Sequence, residues 1–130
     1  MKTAALGIVV NKNEILLVHR KWHPILWAPA GGFIDPGETE EEAVVREIGE
    51  ETGVKSQVLE KIHDFIYDNG YDVSHIHVYA CQYISGSLEC SFESNDVKWF
   101  PIDHLPHPIS PEKYVFDKAI EISKKYLLRE

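Results

Sequence analysis

The chain has 130 residues, about the size of one domain able to bury a real core. With 44% hydrophobic and 26% charged residues, its composition is globular rather than disordered or low-complexity. A formal net charge of −8, from 21 acidic and 13 basic residues, argues against a general nucleic-acid binder, which needs a positive field; it directs attention to sites where a divalent cation supplies the positive charge.

In chain order, the apolar run Met1–Val10 is too short for a membrane span and makes a poor signal peptide, so it reads as a buried first strand. Thr3–Val10 and Glu14–Arg20, split by Asn11-Lys12-Asn13, read as a hairpin whose Asn residues tolerate the turn. Lys21 to Gly37 is dense in punctuation (Pro24, Pro29, Gly31, Gly32, Pro36, Gly37) and reads as a loop that is either functional or a long connection. A helix starts at Thr39 with Glu40, Glu41 and Glu42 in its first turn, favourable to the helix dipole, and ends at Gly53. Ser56–Tyr67 and Val73–Ile84 flank the turn Asp68-Asn69-Gly70 and read as a second hairpin. Ser85-Gly86-Ser87 marks a turn, and Val97–Ile102 is a short strand. Ser110-Pro111-Glu112 reads as an N-cap followed by Pro at the first helical position. Behind it Val115, Phe116, Ala119, Ile120, Ile122, Tyr126 and Leu127 recur at helical spacing. The order implies a sheet with helices packed on it, an α/β sandwich forming a single domain over residues 1–130.

Chemistry concentrates in the first helix. At ~100° per residue, Glu47, Glu50 and Glu51 fall within a sector of roughly 100°. Three carboxylates on one face repel one another unless solvent or a cation neutralises them. Val44, Val45 and Ile48 occupy the neighbouring sector as a stripe to bury, and the small Ala43 leaves room beside the acidic ridge. A hard cation such as Mg²⁺ suits the ridge, since it takes carboxylate, water and phosphate oxygens; a plain solvated acidic face is the alternative from geometry alone.

The segment Gly32-Phe33-Ile34-Asp35-Pro36-Gly37-Glu38 followed by Arg46-Glu47-Ile48-Gly49-Glu50-Glu51-Thr52-Gly53-Val54 resembles the Nudix box. That pattern is Gly, five residues, Glu, seven residues, Arg-Glu, an aliphatic, any residue, Glu-Glu, any residue, Gly and an aliphatic. Every constrained position is met across residues 32–54. The resemblance implies a Nudix fold: an α/β/α sandwich with a mixed β-sheet and a catalytic loop-helix-loop. It implies a pyrophosphohydrolase using Mg²⁺, with Mn²⁺ as a substitute. Glu47, Glu50 and Glu51 are then similar to the family's metal-binding carboxylates, the Gly31 carbonyl adds a ligand, Glu38 supports the site, and Arg46 orients the ridge. Gly32 and Gly37 permit the tight loop. Glu47 is the first choice of general base, with Glu93 and Asp96 as rivals. The chain departs from many family members at Ala30, where they carry Pro; here Pro29 comes one residue earlier.

Arg20 and Lys21 could meet a phosphate or be ordinary surface charges, and Trp22, Trp27, Phe33, Tyr67 and Tyr71 could stack on a base, although core or rim packing is the commoner role for each singly. His75 and His77 share a strand face with Val73 and Tyr79, a spacing that a metal pair uses but any half-polar strand also produces. Cys81 and Cys90 read as core or half-buried thiols of a reducing cytoplasm. The expected partner is a small nucleotide, with no nucleic acid and no membrane, and the chain is a monomer or homodimer. The expected substrate is a nucleoside triphosphate or related nucleotide; nucleotide sugars and dinucleoside polyphosphates are the alternatives. An isoprenoid diphosphate isomerase and a non-catalytic nucleotide sensor rank below them, because no box carboxylate is lost.

Overall fold

A computed structural model describes residues 1–128. Seven strands form one mixed sheet: β1 (Lys2–Asn11), β2 (Glu14–Arg20), β3 (Trp27–Ala28), β4 (Ala30–Phe33), β5 (Lys55–Asp68), β6 (Val73–Ser85) and β7 (Ser94–Pro101). Two helices among the described residues, α1 (Glu40–Thr52) and α2 (Lys113–Leu127), cover its faces. The central path runs β3-β2-β1-β6-β5, with β4 on β1 and β7 on β2. β1 and β6 are parallel, and the other pairs are antiparallel. β5 meets β6 with register irregularities at Lys55/Ser56, Val58/Glu60 and Lys61/His63.

Strand alternation sorts the core into two layers. Ala5 and Val9 of β1, Leu16 and Val18 of β2, and Tyr79 and Cys81 of β6 join Val44 and Ile48 of α1 on one face. Ile8, Val10, Ile15, Leu17, Val78 and Ala80 meet Val115, Phe116 and Ala119 of α2 on the other. Both faces are covered, so the central strands are apolar on both sides. Gly7 lets α1 sit directly on β1: a Cβ there would lie 2.5 Å from Ile48 Cδ1 and 2.7 Å from Val44 Cγ1.

Several expectations need correction. The 21–37 stretch is not all loop, because Gly31 and Gly32 lie in β4, paired with Leu6 and Ala5. β1 therefore forks, its first half meeting β4 at residues 4–7 and its end meeting β2 at Val10 and Asn11. In the first hairpin it is Lys12, at φ 57°, that turns left-handed. The second helix starts at Lys113 rather than Pro111, with Glu112 at its N-cap. Ser110 is not a cap because its backbone extends the sheet, its N–H donating to Trp27 O at 3.0 Å. Val45 and Leu127, expected in buried stripes, are exposed; Cys81 is buried but Cys90 is exposed.

Candidate active site

The box helix is set at both ends by its own sequence. Thr39 Oγ1 accepts from Glu42 N at 3.1 Å while Glu42 Oε1 accepts from Thr39 N at 2.9 Å, a reciprocal capping box. Gly53 closes it at φ 80°, returning its N–H to Gly49 O. Ahead of the helix, the turn before Glu38 is tied by Asp35 N donating to Glu38 Oε1 at 3.0 Å.

Arg46 is the hub. Its Nε and Nη2 donate to the two Glu38 carboxylate oxygens at 2.7 and 3.0 Å, its Nη1 to Glu47 Oε1 at 2.9 Å and Glu50 Oε2 at 3.2 Å, and its Nη2 also to Phe33 O at 3.2 Å. This two-pronged grip holds the Glu38 carboxyl below the usual carboxylate range, helped by the Asp35 amide.

Glu47 and Glu51 are a different kind of carboxylate. Burial pushes Glu47 up against the opposing pull of Arg46, with Glu50 and Glu93 adding repulsion. Burial pushes Glu51 up to about 7 despite the hydrogen bond from Gly31 N to Glu51 Oε2 at 2.9 Å; Glu47 and Glu93 raise it further and Arg20 pulls it back. The two glycines of β4 allow this proximity. A Cβ on Gly32 would stand 2.8 Å from the Glu47 carboxyl, and one on Gly31 would collide with Ala5 O. Gly32 is thus demanded by close approach rather than by a left-handed turn, which occurs at Gly37 (φ 82°). It is the Gly31 amide that the structure turns to Glu51.

A cleft of about 440 Å³ opens beside this end of the helix. It brings together Arg20, Gly31, Phe33, Glu51, Tyr67 and Glu93, with Lys21 and Trp22 on the wall. Trp27 does not join them. Its ring is stacked edge-on against Phe100 at 4.7 Å and beside His19 at 4.9 Å, because β3 turns it into the α2-side core. Asp96 is also elsewhere, accepting from its own Val97 N at 2.8 Å and lying 3.7 Å from Lys98. Sequence reasoning missed Phe65, Ser74 and Ile76 in the cleft wall. Alternation along β6 was the available signal, since Ser74 and Ile76 must face away from His75 and His77.

Among the described residues, no group of three or more His, Cys, Asp or Glu side chains stands preassembled to hold a metal ion. The His75–His77 pair is spent otherwise: His75 Nε2 meets Asp64 Oδ1 at 2.9 Å and His77 Nδ1 meets Lys61 Nζ at 2.7 Å. On α1, Arg46 draws Glu47 and Glu50 to itself while Glu51 turns to Gly31.

Residues 1–120 match the NUDIX domain. The chain belongs to the Nudix family. It is 34% identical over 125 residues to an ADP-ribose pyrophosphatase of Methanocaldococcus jannaschii, covering 93% of this chain and 70% of that protein. It is 33% identical over 107 residues to the NAD-capped RNA hydrolase NudC of Chromobacterium violaceum, covering 78% of this chain but 39% of that protein. The fold matches the crystal structure of a MutT NUDIX hydrolase from Burkholderia pseudomallei with a TM-score of 0.77 and 26% identity, over 92% of this chain and 95% of that one. The mixed sheet between two helices is therefore the Nudix fold, and the chain is a Nudix pyrophosphohydrolase. Among the described residues, no helix of this Nudix chain is long and apolar enough to cross a membrane.

Proposed function

We propose that this chain hydrolyses the diphosphate bond of a nucleoside diphosphate linked to a second moiety, with Mg²⁺ as cofactor, releasing a nucleoside monophosphate. The observation that carries the reading is the pair Glu47 and Glu51: two half-buried carboxylates with raised pKa, set against side-chain-free Gly31 and Gly32 at the end of an open cleft. Burial leaves such carboxylates short of positive charge, which a hard cation can supply in place of the proton, and the space a Cβ of Gly32 would fill lies directly on the Glu47 carboxyl. Glu47, Glu50 and Glu51 are the residues that would hold it, with Glu93 in the same cleft lining and near enough to repel Glu47 and Glu51. When bound, Mg²⁺ supplies neutralisation of diphosphate oxygens and activation of water.

The chain's own groups divide the remaining work. Arg46 fixes Glu47 Oε1, so that carboxylate is oriented to accept a proton, and Glu38 holds Arg46 in place. Arg20 faces the cleft beside Glu51, where it can meet a phosphate oxygen. Phe33, Tyr67 and Trp22 offer aromatic surface for a base.

A nucleotide-sugar type of substrate suits this cleft better than the triphosphate expected from sequence. Only Arg20 and Lys21 among the lining residues are cationic, and both already hydrogen-bond to backbone, Arg20 to Pro24 O and Lys21 to Phe92 O. A panel of nucleoside triphosphates, nucleotide sugars including ADP-ribose, dinucleoside polyphosphates and an isoprenoid diphosphate tests the reading. The expected result is Mg²⁺-dependent release of a nucleoside monophosphate, fastest from a nucleotide sugar and lost in Glu51→Gln. Turnover that survives EDTA and Glu51→Gln sinks the metal assignment, and turnover of the isoprenoid alone sinks the hydrolase.

A further inference from the structure

The polar cluster at the N-terminal end of α1 plays no part in the chemistry proposed above. Tyr79 and His77 of β6 are almost fully buried, at 4% and 6% exposure, on the face that α1 covers. The Tyr79 hydroxyl reaches Glu40 Oε1 at 2.5 Å and Glu41 Oε1 at 3.1 Å, the first two residues of the helix. Lys61 of β5 donates to the same Glu40 oxygen at 3.2 Å and to His77 Nδ1 at 2.7 Å. His77 Nδ1 lies 3.5 Å from Glu40 Oε1, so one carboxylate oxygen is approached by a phenol, an ammonium and an imidazole. For Nδ1 to accept from Lys61, His77 must be the neutral tautomer with its proton on Nε2. His75 completes the cluster, its ring 4.1 Å from that of His77 and its Nε2 on Asp64. The Lys61 ammonium occupies the position where a cation would bridge these groups.

We propose that Tyr79 and Lys61, the latter held in place by His77 Nδ1, are positioning residues for the reaction: by gripping Glu40 they set the tilt of α1, and with it the placement of Glu51. The proposal rests on the reading that α1 carries the metal-binding carboxylates. Three observations support it. At ~1.5 Å per residue, Glu47 and Glu51 lie roughly 10 and 16 Å along the axis from Glu40, within one unbroken helix. Val44 and Ile48 are seated on Gly7 without a spare side chain between them, so the middle of the helix is a fixed pivot. At the far end, beyond that pivot, Glu51 Oε2 accepts from Gly31 N at 2.9 Å, so the place of this carboxylate against β4 follows the tilt of the helix. A loss of grip at one end is therefore read out at the other, where displacements of about an ångström cost up to about 100-fold in rate.

The test uses Tyr79→Phe, which removes one hydroxyl and keeps the ring, and Lys61→Met, which removes the ammonium and keeps most of the stem. For each, Mn²⁺ affinity is measured by electron paramagnetic resonance without substrate, together with Tm, kcat and KM. Mn²⁺ dissociation constants several-fold above the parent, with kcat down about tenfold or more and KM within about twofold, are expected. Mn²⁺ affinity within about twofold of the parent in both variants overturns the proposal, whatever the Tm, because the cluster then only stabilises the fold. A raised KM at unchanged kcat also overturns it, since the cluster would then act on substrate binding. Should Tyr79→Phe not fold, Lys61→Met carries the same readings, its side chain being 39% exposed. If the parent turns over no nucleotide, the Mn²⁺ arm still decides this proposal. If the parent binds no Mn²⁺, the metal reading falls and takes this one with it.

Discussion

Arg46 grips Glu38 through two parallel hydrogen bonds, Nε to Oε2 at 2.7 Å and Nη2 to Oε1 at 3.0 Å, joining the loop ahead of α1 to the middle of the helix. Only a planar guanidinium makes both bonds while also reaching Glu47 and Glu50. Arg46→Lys is therefore expected to keep the charge yet lose the geometry, lowering kcat by about 10- to 100-fold with a small change in Tm. Steady-state kinetics beside a thermal melt checks this, and parental kcat in Arg46→Lys would refute it.

Adjacent glycines should give opposite phenotypes. Gly32→Ala places a methyl 2.8 Å from the end of a flexible side chain, the Glu47 carboxyl, which can move aside at the expense of its position. Gly31→Ala drives a methyl into Ala5 O, a backbone atom of the paired strand. The expected outcome is a folded, inactive Gly32→Ala and a Gly31→Ala with a markedly lower Tm. Equal Tm values for the two would contradict it.

Glu51→Gln removes a buried negative charge and keeps an oxygen for Gly31 N. With its pKa at about 7, the wild-type carboxylate destabilises the metal-free fold above that pH, so Glu51→Gln is expected to gain on the order of 1–3 kcal/mol at pH 8 in EDTA while losing activity. Urea melts at pH 8 measure the gain; a destabilised Glu51→Gln would show that burial is not the dominant influence.

The same shift fixes a pH dependence. Between the ordinary value of 4.5 and about 7, the folded state keeps the Glu51 proton that the unfolded state has released. Metal-free stability should then fall as pH rises through this window, and the part contributed by Glu51 is fully present only below 4.5. Millimolar Mg²⁺ should reverse the trend near and above pH 7 by replacing the proton. Tm against pH, with EDTA and with Mg²⁺, gives two curves that diverge upward in pH if this holds and run parallel if it does not.

Thiol labelling offers a test independent of the site. Burial pushes the Cys81 thiol up to about 12, whereas Cys90 is exposed between β6 and β7. One thiol should react promptly in the native protein and the second only on unfolding, as mass spectrometry of the labelled peptides will resolve.

What the sequence made legible was whatever is local. Thr39, the acidic first turn and Gly53 mark α1 within its own residues, and Asp68-Asn69-Gly70 marks the second hairpin between its strands. The hub role of Arg46 could be expected from the box, since Glu47 and Glu50 lie within a turn of it. β4 was hidden because its glycines look like loop punctuation, and only the approach of β1 and Glu47 explains them. Which of the aromatics would pack in the core and which would face the cleft was hidden too: at Trp27, a two-residue strand leaves no periodicity to tell which way the ring turns. The grip on Glu40 was invisible because Lys61, His77 and Tyr79 lie 21 to 39 residues away, on strands whose register no local pattern sets.

The uneven outer strand β5 has a consequence for how copies of this chain meet in concentrated solution. Its three slips in register bend an otherwise open border of the sheet, so its unpaired amides and carbonyls do not form a straight row. A foreign strand arriving there would find matching partners for only a few residues before falling out of step. The molecule thus carries its own guard against runaway sheet growth at this border, built from backbone irregularity together with the charged side chains of Lys55, Glu60, Lys61, Asp64 and Asp68.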